Sequence, residues 1–244
     1  DGRLVRGHII SQLLPTAIIA GLLMILVLIE PDFGGTAILF CLVLIMYSVS
    51  GIPTGYVLLS IIGITVLVVG GFSLIVAWNP SFLQDVYVYK RFIAFLHPFK
   101  TAANEGAQLV NSYYAIHNGG LFGLGLGNSI QKLGSVPEAQ NDMIFSIVCE
   151  ELGLVGAGTI IVLFLILIWR FFVIATHAPD LFGALIAAGA MAHMMIQVIL
   201  NIAVVTNSIP NTGITLPFIS YGGTSVVFLL LEMGLVLSIS RLVQ

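Results

Sequence analysis

Four ionisable side chains stand inside stretches that are otherwise almost entirely apolar: Glu150, Glu151, His193 and Glu232. Placing such a group in hydrocarbon costs roughly 2.5 to 3.5 kcal/mol, so it is kept where it pairs with a partner, moves a proton or binds something. A helix that starts at Asp142 and rises 1.5 Å per residue sets the two glutamates about 12 Å below the outer surface. His193 and Glu232 reach comparable depths on their own spans, so the four can meet. His193, Gln197 and Asn201 recur at i, i+4 and i+8 and therefore share one helix face, which must be the inward one. The plain alternative is a set of interhelical hydrogen bonds that holds a bundle together.

Asp142 is a different case, because it lies at the head of an apolar run in Pro137-Glu138-Ala139-Gln140-Asn141-Asp142-Met143-Ile144-Phe145. An aspartate in that place is ordinarily a helix N-cap, and capping would lower its pKa through the helix dipole. Burial against lipid and the neighbouring Glu138 push the other way. Ionised at neutral pH, the carboxylate can still accept a proton late in a transition state. The run Gly119-Gly120-Leu121-Phe122-Gly123-Leu124-Gly125-Leu126-Gly127 is no nucleotide fingerprint, since no strand precedes it and the Walker lysine is missing. Its glycines allow a turn or a close backbone approach where the chain re-enters the interface, and bare amides there can help hold a phosphate. Lys90, Arg91 and Lys132 can supply charge to a diphosphate, Arg91 as a fork, or simply contact anionic lipid headgroups.

The elements that must position these groups follow from composition. The 244 residues are 59% hydrophobic and 8% charged, with a mean hydropathy of +1.11; an average soluble domain is about 25% charged, so a water-exposed globular surface is excluded. With a net charge of −3 and no Lys/Arg-rich run, nucleic acid is excluded as a partner. Cys41 and Cys149 lie in apolar runs without a second Cys or His at ligand spacing, which speaks against disulfides and a zinc site. Uncharged runs of about 20 residues predict six transmembrane helices, near 9–29, 34–50, 55–77, 144–170, 181–204 and 224–241, in an all-α polytopic membrane bundle. Arg3, Arg6, Arg170 and Arg241 then share the cytoplasmic side.

Residues 78–142 form a long extracellular loop between the third and fourth spans, without structure of its own beyond an amphipathic segment over 86–95. A second irregular segment, Thr206 to Thr224, holds Pro210, Pro217, Gly213, Gly222 and Gly223 and has re-entrant character on the same side. The chain has no cleavable signal and reads as a piece of a longer polytopic protein, with 1–244 as one membrane-embedded domain.

Several of these stretches, in this order, resemble one family. Glu30-Pro31-Asp32 with Gly34-Gly35-Thr36, Asn111-Ser112-Tyr113-Tyr114-Ala115-Ile116, Gln131-Lys132-Leu133-Gly134, Pro137-Glu138-Ala139 with Asp142, Glu150-Glu151-Leu152-Gly153, and Leu216-Pro217-Phe218-Ile219-Ser220-Tyr221-Gly222-Gly223 look like the SEDS (shape, elongation, division and sporulation) family of bacterial membrane proteins. The resemblance implies a peptidoglycan glycosyltransferase of the bacterial cytoplasmic membrane. Such an enzyme polymerises lipid II into glycan strands, beside a class B penicillin-binding transpeptidase and other division or elongation membrane proteins.

Carried over residue by residue, it makes Asp142 the essential catalytic carboxylate, which would take the proton from the acceptor sugar's 4-hydroxyl. It also turns attention to Arg91, Lys132, Glu138, Gln140, Asn141, Ser220, Gly222 and Gly223 for substrate, and allows a divalent cation, Mg or Mn, at the leaving group. Two departures stand out. The family's His-Thr ahead of the aspartate is Gln140-Asn141 here, and its first four helices, with their Arg-Trp and Gln-Pro-Ser-Glu motifs, do not occur in this sequence. Rival readings of the polar stripe are a flippase for the same lipid precursor and a non-catalytic scaffold.

Overall fold

The computed structural model describes residues 2–30, 32–78, 87–102, 106–131 and 141–243. Every regular α or β element among them is a helix: α1 (Gly2–Ile29), α2 (Phe33–Val49), α3 (Thr54–Trp78), α4 (Tyr87–Leu96), α5 (Ala107–Gly119), α6 (Ile144–His177), α7 (Leu181–Val205) and α8 (Gly223–Ser240). A helix pairs its backbone groups internally, which is the condition for an apolar segment to exist in lipid. α6, α7 and α8 are long and apolar enough to cross a membrane, and shorter apolar helices run over Leu14–Ile29, Phe33–Val49 and Thr54–Val66.

The region between the third and fourth apolar runs is not structureless. α4 coincides with the amphipathic segment read from the sequence, whereas α5 has no counterpart in a search for spans. It has 13 residues, too few to cross a bilayer. Its stability comes instead from packing Leu109, Val110 and Ala115 against its neighbours, chiefly α6.

The helices form two compact units, residues 1–86 and 87–244. In the first, α1 packs on α2 and α3 around Met24, Tyr47, Val57 and Ile64. The Thr16 hydroxyl and the Tyr47 phenol meet at 2.8 Å. Asp32 caps α2, its carboxylate accepting the Gly35 amide at 2.8 Å. Leu22, Leu23, Leu26, Leu58, Leu59 and Ile62 face outward, as expected where the solvent is hydrocarbon.

In the second unit α6 lies between α5 and α7. α7 buries Ala187, Ala188, Ala190 and Ala192, and such small side chains let helix backbones approach closely. α6 itself is broken. Gly153 has φ 66° and ψ −170°, a conformation essentially confined to glycine. An unbroken helix would use the amides of Leu154 and Val155 to satisfy the carbonyls of Glu150 and Glu151. Here those amides donate to Gly120 O at 2.9 Å and Leu121 O at 3.1 Å, and the released carbonyls accept the amides of Leu124 and Gly125, both at 2.9 Å. The glycine-rich segment thus replaces four lost helical partners, two amides and two carbonyls.

The close approach needs glycine. A Cβ on Gly119 would strike Cys149 O, one on Gly123 would strike Glu151 O, and one on Gly153 would lie 2.5 Å from Leu121 O. The sequence reading of that run as a place of close backbone approach holds.

Gly153→Ala should therefore lower the thermal stability of the detergent-solubilised protein, by roughly 1 to 3 kcal/mol from backbone strain alone. Gly63→Ala, on α3 with open space around its Cβ, should be neutral or stabilising by up to about 1 kcal/mol. Thermal denaturation of the two variants side by side checks the contrast.

Candidate active site

Asp142 sits in the turn ahead of α6 and is 8% exposed. It does not cap the helix. Met143 holds the N-cap position and no side chain caps it. The capping expectation fails because the carboxylate has better donors elsewhere: Gln108 Nε2, on the first turn of α5, donates to Oδ1 at 3.0 Å, and Asn211 Nδ2, from the loop between α7 and α8, donates to Oδ2 at 3.3 Å. Asn211 Nδ2 also donates to Gln108 Oε1 at 3.0 Å. From α7, the fully buried Asn201 donates to the backbone carbonyls of Asp142 and Ile214, both at 2.8 Å, which ties the turn to the α7–α8 loop. Asn201 thus serves on the inward face that its spacing with His193 and Gln197 predicts.

Arg91 of α4 reaches the same loop, its Nη1 donating to Asn211 O at 2.9 Å. Gly213, with φ 72°, lies beside it, where an added Cβ would make ordinary contact with the guanidinium at 3.6 Å. Arg91 also acts on Asp142 through its charge. Of the other residues expected at the substrate, Asn141 and Ser220 lie together: the Ser220 hydroxyl donates to Asn141 O at 2.7 Å and accepts the Leu216 amide at 2.7 Å. Ser220 is 4% exposed, so here it is a strut between the α7–α8 loop and the Asp142 turn. Gly222 and Gly223 stand at the start of α8. Lys132, Glu138 and Gln140 lie outside the described residues.

Burial is the largest influence on the Asp142 carboxyl and raises its pKa above the ordinary aspartate value. The bonds from Asn211, its own backbone amide and Gln108, together with the charge of Arg91, pull the other way without cancelling it. The low pKa expected from capping is thus overturned by desolvation, the opposing influence that the sequence also offers. A carboxylate with a raised pKa is a stronger base than a capped one.

The four intramembrane ionisable groups divide. His193 and Glu232 do meet, with Nδ1 3.0 Å from Oε2, both half-buried, joining α7 to α8. Glu150 turns elsewhere: fully buried, it accepts from the Ser129 hydroxyl, from the Gln131 amide at 3.3 Å and from Asn118 Nδ2 at 3.4 Å. It anchors the far end of the glycine-rich segment that the helix break docks. Glu151 is buried beside it at the break.

Sequence reasoning missed Gln108 and Asn211, the two amides at the carboxylate. Asn211 had a readable signal, since Pro-Asn-x-Gly is turn chemistry, and its Oδ1 indeed accepts the Gly213 amide at 2.8 Å. Gln108 had none.

A bundle of apolar helices with a buried, amide-held carboxylate at the head of a broken spanning helix belongs to the multi-pass membrane proteins. A family model described as "Cell cycle protein", of the FtsW, RodA and SpoVE type, matches residues 3–244, and the chain belongs to that family. It is 46% identical over 221 residues to a Lactococcus lactis subsp. lactis protein named probable peptidoglycan glycosyltransferase FtsW, covering 87% of this chain and 52% of that one. It is 41% identical over 218 residues to the stage V sporulation protein E of Bacillus subtilis, covering 89% and 57%. The chain thus spans about half the length of the curated relatives it matches.

Among solved structures it resembles one described as "Structural coordination of polymerization and crosslinking by a peptidoglycan synthase complex". The TM-score is 0.61 at 27% identity, over 88% of this chain and 57% of that one. A mutant of the rod shape determining protein RodA from Thermus thermophilus shares the fold, with a TM-score of 0.55 at 24% identity over 90% and 53% of the two chains.

This geometry has two measurable consequences. Because the folded protein holds the Asp142 proton more tightly than the unfolded chain does, the acid's contribution to stability is present below its ordinary pKa and is lost as pH rises through the raised value. The melting temperature of Asp142→Asn relative to the parent should therefore rise as the pH climbs from about 4 toward neutral, from a starting offset set by the amide donors that its NH2 would face; thermal denaturation across pH checks this. A double-mutant cycle of His193→Ala and Glu232→Ala should give a coupling near about 0.6 kcal/mol, the usual worth of an interhelical hydrogen bond in a bilayer.

Proposed function

We propose that this chain carries the catalytic centre of a peptidoglycan glycosyltransferase that polymerises lipid II at the outer face of the bacterial cytoplasmic membrane. Membership of the family and the names of its relatives support the reaction class. The observation that carries the site is the buried Asp142 carboxylate, held on both oxygens by amides with a guanidinium beside it.

In the proposed topology α1 to α3 and α6 to α8 are the six spans. Arg3, Arg6, Arg170 and Arg241 lie on the cytoplasmic side, and the segments around 78–142 and 206–222 face outward. Asp142 then stands at the outer rim.

In the reaction the 4-hydroxyl oxygen of the acceptor sugar attacks the anomeric carbon of the lipid-linked donor. Asp142 takes the hydroxyl proton, the bond from the anomeric carbon to the diphosphate oxygen breaks, and undecaprenyl diphosphate departs with inversion to a β-1,4 linkage. The raised pKa keeps the carboxylate basic enough to accept that proton. Arg91 offers a planar pair of donors to the diphosphate, and Lys132 is assigned to the same charge.

The divalent cation that the resemblance allows would serve the leaving group; among the described residues no three His, Cys, Asp or Glu side chains come together, and Glu138 lies outside them. The Asp142 oxygens accept amide donors, and the charge of Arg91, whose Nη1 bonds the Asn211 carbonyl, acts on them. Charge on the leaving group is assigned to Arg91 and Lys132, and no step is routed through a metal ion. A class B penicillin-binding transpeptidase is the proposed partner, in keeping with the solved neighbour that couples polymerisation to crosslinking.

Incubating the purified full-length protein with lipid II and resolving the products tests this. Polymer should form, and Asp142→Asn should cut its rate by about 10² to 10⁴, the range general-base catalysis supplies. Equal polymerisation by the variant would remove Asp142 from the chemistry. Movement of lipid II across sealed vesicles without polymer would establish transport instead.

A further inference from the structure

We propose that Asn211 is a positioning residue that fixes, from one side chain and one carbonyl, both the orientation of the Asp142 carboxylate and the place of the Arg91 guanidinium. The inference rests on the reading of Asp142 as the base, and it starts from a single backbone amide.

The Gly213 N–H can only donate, and it lies 2.8 Å from the Asn211 side chain. The Asn211 atom facing it must be the oxygen, so the NH2 group points the opposite way. That NH2 reaches Asp142 Oδ2 at 3.3 Å and a Gln108 side-chain atom at 3.0 Å. Since a donor needs an acceptor, the Gln108 atom there is Oε1, and its NH2 is left for Asp142 Oδ1 at 3.0 Å. One turn in the α7–α8 loop thereby sets the polarity of a closed ring of three side chains, and every hydrogen at the carboxylate points toward it.

The same residue's backbone carbonyl accepts Arg91 Nη1 at 2.9 Å. The proton acceptor and the group assigned to the diphosphate are thus held apart at a distance that Asn211 sets. Both Asn211 and Gln108 donate to the Asp142 carboxylate, and the effect proposed for Asn211 runs through it.

The groups around the carboxylate are few among the described residues: Gln108 from α5, Asn201 from α7 on the backbone, Asn211 from the loop, and Arg91 from α4 as the charge that acts on it. Donors turned toward a carboxylate favour its ionised form, and removing one raises its proton affinity. A second carboxylate in Asn211's place would raise it further through like charge.

The test compares Asn211→Ala and Asn211→Asp in the full-length protein. The aspartate variant is isosteric and keeps an acceptor for the Gly213 amide, so it preserves the turn if the alanine variant loosens it. The acid limb of the polymerisation rate against pH should move up by about one unit for Asn211→Ala and further for Asn211→Asp. On that limb the rate should fall about tenfold, with recovery at alkaline pH and KM for lipid II changed less than about twofold.

A second readout needs no activity: the melting-temperature gap between protein with Asp142 and protein with Asp142→Asn should keep widening to higher pH when Asn211→Ala is present. A rate loss equal at every pH, with that gap unmoved, would reduce Asn211 to a loop strut and overturn the proposal. If Asp142→Asn polymerises normally, the proposed reaction falls, while the melting gap still decides whether Asn211 controls the carboxyl.

Discussion

A backbone polar group surrounded by hydrocarbon has to find a partner inside the protein, and the break in α6 shows how the fold responds when a helix gives its own partners up. At Gly153 the ladder is interrupted, and the glycine-rich segment supplies the missing donors and acceptors through the bonds of Leu124, Gly125, Leu154 and Val155. Side chains would forbid that approach, which is why glycine recurs on both sides of the contact. Glu150 closes the far end of the same segment from the helix interior. Much of the architecture beside α6 therefore descends from one requirement on the main chain.

The break leaves the first turns of α6 set against α5, and Asp142 stands at their head. There two opposing influences meet. Burial disfavours charge on the carboxylate, while two amides and a guanidinium favour it, and burial is the larger. An acid whose proton affinity burial raises is better suited to taking a proton during a reaction than an ordinary carboxylate, and it is a poor choice for stability alone. Asn201, which anchors the Asp142 backbone, and Ser220, which anchors Asn141, confine the turn without approaching the carboxylate. Rigid support behind the carboxylate suits the proton acceptor proposed for it.

The polar residues within the apolar helices turn out to have separate tasks. His193 with Glu232 joins two helices, Asn201 braces the turn that holds the acid, and Glu150 holds a loop. The interhelical bonding that the sequence allows as an alternative accounts for His193 with Glu232, whereas Asn201 and Glu150 bond to loops and turns.

The sequence by itself determined the solvent. Long apolar runs with few charges can only be helices in lipid, and the all-α class, α6 to α8 and the amphipathic α4 were legible because their signal is local: a period, a length, a composition. Arg91 and the glycine-rich run drew notice for the same reason, whereas local pattern read Asp142 as a helix cap and only the family resemblance made it the candidate base. What no local pattern contains is partnership. Gln108 and Asn211 lie 103 residues apart and become a clamp only when α5 and the α7–α8 loop converge on one carboxylate. Whether that aspartate caps a helix or is held off it, and whether Glu150 faces His193 or Ser129, was decided by which donors the tertiary fold brought within 3 Å or so, because a hydrogen bond falls away beyond that range.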